Sequence, residues 1–205
     1  MAKTTFAEEV YLRALTGKVV GEHILGVYNK VAVISVKNII CSAISAAAEA
    51  SFVMKTQGRA AHFVVEEGTV KNVVKQVEEF APNAIILMFG GETPIEETKK
   101  LFVETLKALA ETDLEADIIV HVRIFAARGL EEALKDKNVV DYLQSNEVYV
   151  YTVDFDHGFV LFNDIYVEDN GEVVLSKISE IPVTVEHADL LNRSLRDKTV
   201  EWKDM

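Results

Sequence analysis

Short apolar runs alternate along this chain with longer segments in which apolar residues recur every three or four positions. The most informative run is Ala84 to Met88, which is too short for a buried helix. Two glycines follow it, and the pair Thr93 and Pro94 then gives a helix-start signal. This order is typical of a central parallel strand that enters a helix through a tight turn, and it indicates an α/β protein.

The same alternation predicts five strands joined by four helices. Besides the central run, strands are predicted over residues 31–36, 60–65, 117–126 and 147–153. The helix after the first strand is rich in alanine and serine and is predicted to end at Gly58; the later helices are predicted over residues 69–80, 94–110 and 129–145. Because crossovers between parallel strands are right-handed, we expect a three-layer, mostly parallel, five-stranded sheet of Rossmann-like or flavodoxin-like type.

The pattern changes after residue 154, where strands follow one another without helices. They are predicted over residues 158–163, 165–167 and 172–178. The turn Asp169, Asn170 and Gly171 lies before the last of them, and Asn-Gly between β-rich runs is a strong hairpin signal. Together with a last helix over residues 184–198, this predicts a C-terminal β-hairpin and helix.

We read the whole chain, residues 1–205, as a single α/β domain. Its predicted parts are an N-terminal helix and lead-in over residues 1–30, the alternating core over 31–154 and the hairpin with its helix over 155–205. No repeat or linker-like segment divides these parts.

The formal net charge of −12 limits the partners that the protein can have. Nucleic acids and anionic membranes repel such a surface unless a basic patch overrides it, and the lysines and arginines here are scattered. We therefore expect no nucleic-acid or membrane partner. The acidic start at Glu8 and Glu9 is unlike a signal peptide, and Cys41 is the only cysteine, so we expect a cytoplasmic protein. Few prolines and glutamines beside many Glu, Lys and Val residues hint at a thermophile.

Candidate chemistry follows from a rule for open parallel sheets, in which ligands bind beyond the carboxyl ends of the strands. Applied to the predicted strands, the rule gathers eight candidate ligand-binding residues. They are Ser35, Lys37, Asn38, Glu66, Gly90, Gly91, Thr93 and Arg128.

These residues favour a small anionic ligand, such as a nucleotide. The glycines allow main-chain amides to approach an anion, Thr93 supplies a hydroxyl group, and Lys37 and Arg128 supply positive charge. Glu92 in the same turn opposes this interpretation, and neither dinucleotide-binding nor phosphate-loop fingerprints are present, so the sequence identifies no cofactor. The alternative is that the two glycines form only a tight turn and helix cap.

A second candidate site contains Asp154, Asp156 and His157, whose oxygen and nitrogen atoms are suitable ligands for a divalent metal ion. This set would suit a metal-dependent phosphoester hydrolase. A solvated turn has the same composition, however, so the sequence leaves open whether the protein is an enzyme.

A third hypothesis is a non-catalytic, self-assembling structural protein. The alanine- and serine-rich helix allows close backbone approach, and exposed hairpin edges favour strand pairing between copies. For these reasons we expect a homo-oligomer.

Overall fold

Seven strands form one mixed sheet in the computed structural model, which describes residues 4–112, 114–154, 156–168 and 172–196. The strands are β1 (Lys30–Val36), β2 (Arg59–Val65), β3 (Ala84–Met88), β4 (Asp117–Val120), β5 (Val148–Asp154), β6 (Phe159–Val167) and β7 (Val173–Pro182). Their order across the sheet is β2-β1-β3-β4-β5-β6-β7. The first five strands are parallel, whereas β6 and β7 are antiparallel to their neighbours.

Eight α-helices are found in the described residues. They are α1 (Phe6–Val19), α2 (Ile39–Thr56), α3 (Val70–Phe80), α4 (Ile95–Ala110), α5 (Val122–Ala126), α6 (Gly129–Ala133), α7 (Lys137–Gln144) and α8 (Val185–Arg196). A π-helical turn and a 3-10 turn continue α1 as far as Val27. A capping box fixes the start of α1, because Thr5 and Glu8 each accept a hydrogen bond from the other's main-chain amide.

The core has two halves, one on each face of the sheet. Alternate residues of β1 point to opposite faces, so Ile34 packs with α3, α4, α6 and α7. Val33 instead packs with α2 and the turns after α1. β3 is apolar throughout because helices cover both faces of the sheet at this strand.

The predicted α/β architecture is confirmed, but the sheet is larger than expected. The predicted hairpin is present and does not stand apart from the sheet, because β6 pairs with β5 from Asp154↔Phe159 to Tyr149↔Asp164. The hairpin turn predicted at Asp169, Asn170 and Gly171 lies outside the described residues, as do residues 197 and 198 of the predicted last helix.

The predicted fourth strand and the helix after it differ most from the structure. β4 ends at Val120 because the chain turns at once into α5, which His121 caps by accepting a hydrogen bond from the Arg123 amide. The helix predicted over residues 129–145 is divided into α6 and α7, where Asp136 caps α7 by accepting a hydrogen bond from the Asn138 amide at 3.0 Å.

α2 packs against both the sheet and α1. By length and composition it is the one helix of the described chain that could cross a membrane, with a mean hydropathy of 1.3. Ala48 and Phe52 are nevertheless buried against the sheet, which is the position of a core helix. Its left-handed C-terminal residue is Gln57 and not the predicted Gly58.

Candidate functional site

The chain reverses its direction across the sheet at β1, because β2 lies on one side of β1 and β3 on the other. The loops after β1 and β3 therefore lead to helices on opposite faces, and the place between two such loops is where open sheets of this kind bind ligands; we call this place the crevice. Asn38 begins α2 on one side of this crevice, and the loop Gly90 to Thr93 forms the other side.

Asn38 ties the two sides of the crevice together. Its Nδ2 donates hydrogen bonds to the Gly90 carbonyl at 3.2 Å and to Thr93 Oγ1 at 3.0 Å. Its Oδ1 accepts a hydrogen bond from the Cys41 amide at 2.6 Å and so caps α2. The predicted residues Asn38, Gly90 and Thr93 thus form one contact network.

Glu92 places a carboxylate group on the N-terminus of α2. The Ile39 amide donates to Oε1 at 2.8 Å, and the Ile40 amide donates to Oε2 at 3.2 Å. Free amides and the helix dipole favour negative charge at this position. The sequence suggested that Glu92 would repel an anion; in the structure it occupies an anion-stabilising position itself.

Arg123 of α5 contacts the β3–α4 loop, at the place where the sequence predicts Arg128. The buried Arg123 guanidinium donates to the carbonyl of Gly91 and, at 3.5 Å, to that of Thr93. Burial lowers its pKa, while the Glu92 carboxylate acts in the opposite direction. Arg128 is exposed at the start of α6 with a positive φ of 59°, eight residues beyond the end of β4.

His121 holds the start of α5 beneath the same loop. Its Nδ1 accepts a hydrogen bond from the Arg123 amide at 3.0 Å, and its ring packs edge-on against Tyr151. Burial lowers the pKa of His121 to about 3, and the positive charges of Arg13 and Arg123 act in the same direction. The ring is therefore neutral at physiological pH. A side chain at Gly90 would contact this ring at 3.1 Å, which explains the glycine there.

The first and last helices also contribute charged and polar groups near the site. Arg13 of α1 pairs with the buried Glu9 at 3.4 Å, and Ser194 of α8 donates to Glu9 at 3.0 Å. Thr16 and His187 join the same two helices at 3.0 Å. These residues could not be predicted from the sequence, because they lie outside the strand and helix repeat and no local pattern marks them.

The remaining predicted ligand-binding residues lie towards β2. Lys37 forms an exposed ion pair with Glu66 at 3.1 Å, a type of contact that contributes little to stability. Ser35 is buried within β1 and lies 2.8 Å from the Nε2 atom of His62. Cys41 is also buried, and burial raises its pKa to about 11, so its thiol is protonated at neutral pH.

The second candidate site is a turn in which the side chains contact each other. Asp154 accepts hydrogen bonds from the His157 amide at 3.1 Å and from its ring at 2.8 Å. These contacts lower the pKa of Asp154 and raise that of His157. Asp156 lies in the same turn, but over the described ranges no group of three or more His, Cys, Asp or Glu side chains is arranged to hold a metal ion.

A polar depression lies at the opposite end of the sheet, near the amino ends of β4 and β5. It is lined by three carboxylates, Glu115, Asp117 and Glu147, together with neutral side chains such as Asn83 and Gln144. Its acidic lining disfavours an anionic ligand, so the depression does not replace the crevice as the candidate anion site.

One protein family matches this chain over most of its length. The model of a family described as "Uncharacterized protein" matches residues 9–190, so the chain belongs to that family. A comparison with curated proteins found no match.

Solved structures provide distant likenesses. One is a structure described as a branched-chain amino acid ABC transporter from Rhodospirillum rubrum, with 17% identity and a TM-score of 0.48 over 67% of this chain and 36% of that one. Another is full-length LpoA from Haemophilus influenzae, with 11% identity and a TM-score of 0.44 over 74% of this chain and 25% of that one. The chain thus spans about a third and a quarter of their lengths, and at these identities the likeness concerns the fold alone.

Proposed function

We propose that the protein binds a small anionic ligand, such as a nucleotide, in the crevice between the loops after β1 and β3. In this proposal it acts as a sensor or binding subunit. The supporting observation is the Glu92 carboxylate on the amides of Ile39 and Ile40, because a group of the same charge on a ligand would meet the same two donors.

The order of the parallel strands supports the location. The order β2-β1-β3-β4-β5 matches that of flavodoxin-like proteins, and we propose that the first five strands and their helices form a flavodoxin-like unit. In such units ligands bind where the strand order reverses, which here is the crevice beside Asn38.

The ligand would replace Glu92 on the N-terminus of α2. Glu92 is only half buried and belongs to a loop, so its side chain can turn outward without disturbing a strand. The Lys37 side chain, 68% exposed, and the Arg123 guanidinium then supply positive charge on the two sides of the crevice. Asn38 and Arg123 hold the loop carbonyls, so the main-chain geometry stays in place during the exchange.

Substitution of Glu92 tests the proposal directly. We expect Glu92→Gln to bind inorganic phosphate and nucleotides about tenfold more tightly than wild type, which corresponds to about 1.4 kcal/mol, because the internal competitor has lost its charge. Titration calorimetry and thermal shift measure this difference. Glu97→Gln is the matched control, since it removes the same charge from an exposed residue of α4 that does not cap α2.

Two results would contradict the proposal. One is the absence of any response to phosphate or nucleotides in both wild type and Glu92→Gln. The other is an equal gain in Glu92→Gln and Glu97→Gln, which would show only a general reduction of negative charge.

The expectations of a cytoplasmic location and of no nucleic-acid or membrane partner belong to this proposal; the single cysteine supports the first, and the charge of −12 supports the second. The hydrolase hypothesis remains a prediction that metal analysis of the purified protein can test. The contacts between Asp154 and His157 are those of a turn closed on itself, and the binding function has the stronger support.

A further inference from the structure

The sheet ends in two strands that differ in how their free edges are protected. β7 forms one edge and β2 the other. An edge strand exposes a row of main-chain donors and acceptors to which another chain can pair, and proteins usually block this pairing with bulges, charges or proline.

The β7 edge carries these protective features. Its register with β6 shifts between Phe162 and Asn163, so β7 contains an irregularity near Ile178. Lys177 and Glu180 form an ion pair beside it, and Pro182 ends the strand without an amide hydrogen. Regular pairing of another strand along β7 is therefore disfavoured.

The β2 edge lacks the same protection. β2 pairs with β1 in unbroken register from Lys30↔Arg59 to Val36↔Val65. Between Arg59 and Glu66 it has no charged residue, glycine or proline, and Val64 is 39% exposed although it is apolar. A regular and unbroken edge without charged residues is suited to strand pairing.

The main-chain groups available for pairing can be assigned. The Arg59 amide donates to the Asn29 carbonyl at 2.9 Å, so the main chain of Arg59 faces β1. Since the facing side alternates along a strand, Ala60, His62 and Val64 direct their amides and carbonyls away from β1.

We infer that a second copy of the chain pairs antiparallel with β2 along this edge, about a two-fold axis beside His62. In this register Ala60 of one copy lies opposite Val64 of the other, and their outward groups form hydrogen bonds. The arrangement also matches the charges at the strand ends, because Arg59 of each copy lies next to Glu66 of the other. Because of the two-fold axis, pairing of two copies therefore brings opposite charges together at both ends of the paired strands.

The helices above β2 fit this arrangement. α2 lies over β1 and β2, so the strand spacing of about 4.8 Å puts the two copies of α2 about 10 Å apart, a normal distance for packed helices. α1 contacts the flank of α2 that contains Ala47 and Ser51, which leaves the opposite flank with Glu49 and Val53 directed towards the second copy.

This flank has the composition of a contact surface. Val53 is 42% exposed, and α2 has only two charged residues, Glu49 and Lys55, in a strongly acidic chain. The Oε1 atom of Glu49 is buried without a hydrogen-bond partner in the described structure. Burial raises the pKa of Glu49 to about 7, so two such carboxyl groups can approach without full repulsion.

Light scattering of the full chain without ligand tests the inference. We expect wild type to have about twice the 22.8 kDa mass of one chain, and Val64→Pro to be monomeric because proline removes an outward amide. Val64→Thr keeps that amide and should remain dimeric. Leu175→Lys, on the exposed β7, should also remain dimeric.

Disulfide trapping tests the register and does not depend on the proline variant folding. His62→Cys places two cysteines opposite each other, with Cα atoms about 5.5 Å apart, and should form a covalent dimer under mild oxidation. Tyr166→Cys, exposed in the hairpin, should not. A monomeric wild type, a dimer disrupted by Leu175→Lys, or no crosslink at residue 62 would each overturn the inference. All of these measurements are made without ligand, so their failure would not bear on the proposed binding function.

Discussion

Two glycines with nearly the same backbone conformation lie in very different surroundings. Gly91 has a φ of 77° in the crevice loop, and Gly68 has a φ of 79° in the turn before α3. A Cβ atom at Gly91 would collide with the Asn38 side chain, whereas no atom lies within 4 Å of one at Gly68. Substitutions at these two glycines can therefore distinguish the cost of backbone strain from the cost of losing the Asn38 contacts.

We predict that Gly91→Ala lowers the free energy of unfolding by about 2–4 kcal/mol. About 1 kcal/mol comes from the left-handed backbone, and the remainder comes from displacement of Asn38. Urea unfolding measures the loss of stability in this variant and in Gly68→Ala. The Gly68→Ala protein should lose only the contribution from the left-handed backbone. Equal losses would show that the contact between Gly91 and Asn38 does not stabilise the crevice.

Part of the crevice could be predicted from single residues. Asn38, Gly90, Gly91 and Thr93 follow directly from the rule for strand ends, and the structure joins them. Arg123 could not be found in this way, because the β-branched and apolar residues around it suggest that the strand continues past Val120. The role of Glu92 was also inaccessible, since its partners lie at the start of α2, more than 50 residues earlier in the chain.

Close packing of helices explains the alanine- and serine-rich composition of α2. A Cβ atom at Gly17 of α1 would collide with the Ile44 carbonyl and would lie 2.9 Å from the Ala47 side chain. A Cβ atom at Gly21 would likewise collide with the Ala48 carbonyl. Small residues on both helices thus allow their backbones to touch, and the contact buries the inner side of α2.

Gly17→Ala should separate these helices and lower stability by about 1–3 kcal/mol, since neither partner atom can move without shifting a backbone. Gly26→Ala is the matched control. Its Cβ atom would have neighbours no closer than 3.8 Å, so we expect no loss and a gain of up to about 1 kcal/mol. Midpoints of urea unfolding compare the two, and a Gly17→Ala protein as stable as wild type would refute the close contact.

Elements were predictable where one periodicity dominates and uncertain where the chain leaves the sheet. α3 and α4 lie within one residue of their predicted bounds, because their apolar residues recur with strong helical spacing. The end of β4 depends instead on the turn into α5, where His121 caps the helix and the apolar pattern continues without a break. The incorporation of β6 and β7 into the main sheet is likewise a long-range pairing.

On the scale of the whole molecule, folding removes two histidines from solvent. His121 lies near Arg13 and Arg123, and His187 of α8 contacts Thr16 of α1. Burial lowers the pKa of His121 to about 3 and that of His187 to about 4, with Arg13 contributing to both. Both side chains are therefore neutral in the folded protein and gain a proton on unfolding below pH 6.5.

The sign of the pH effect follows from this difference. Because the folded pKa is depressed, the unfolded state binds more protons, and stability is lost as pH falls from about 6.5 towards the folded values. Each histidine should lower the free energy of unfolding by about 2 kcal/mol between pH 7 and pH 5. Contacts with Thr5 and Arg193 lower the pKa of the Glu8 carboxylate to about 2. Carboxylates of this kind add to the loss of stability in stronger acid.

His121→Asn isolates one of these contributions. Asparagine keeps an oxygen that can accept a hydrogen bond from the Arg123 amide, and its side chain does not titrate. The variant should be less stable at pH 7 because it loses the ring contact with Tyr151. Between pH 7 and pH 5 it should lose about 2 kcal/mol less than wild type.

The exposed His157 is the control. Asp154 raises the pKa of His157, so this residue stabilises the fold in acid, and His157→Asn should not reduce the dependence of stability on pH. Unfolding by urea across this pH range gives both slopes, and an unchanged slope in His121→Asn would show that this ring is not neutral in the folded state.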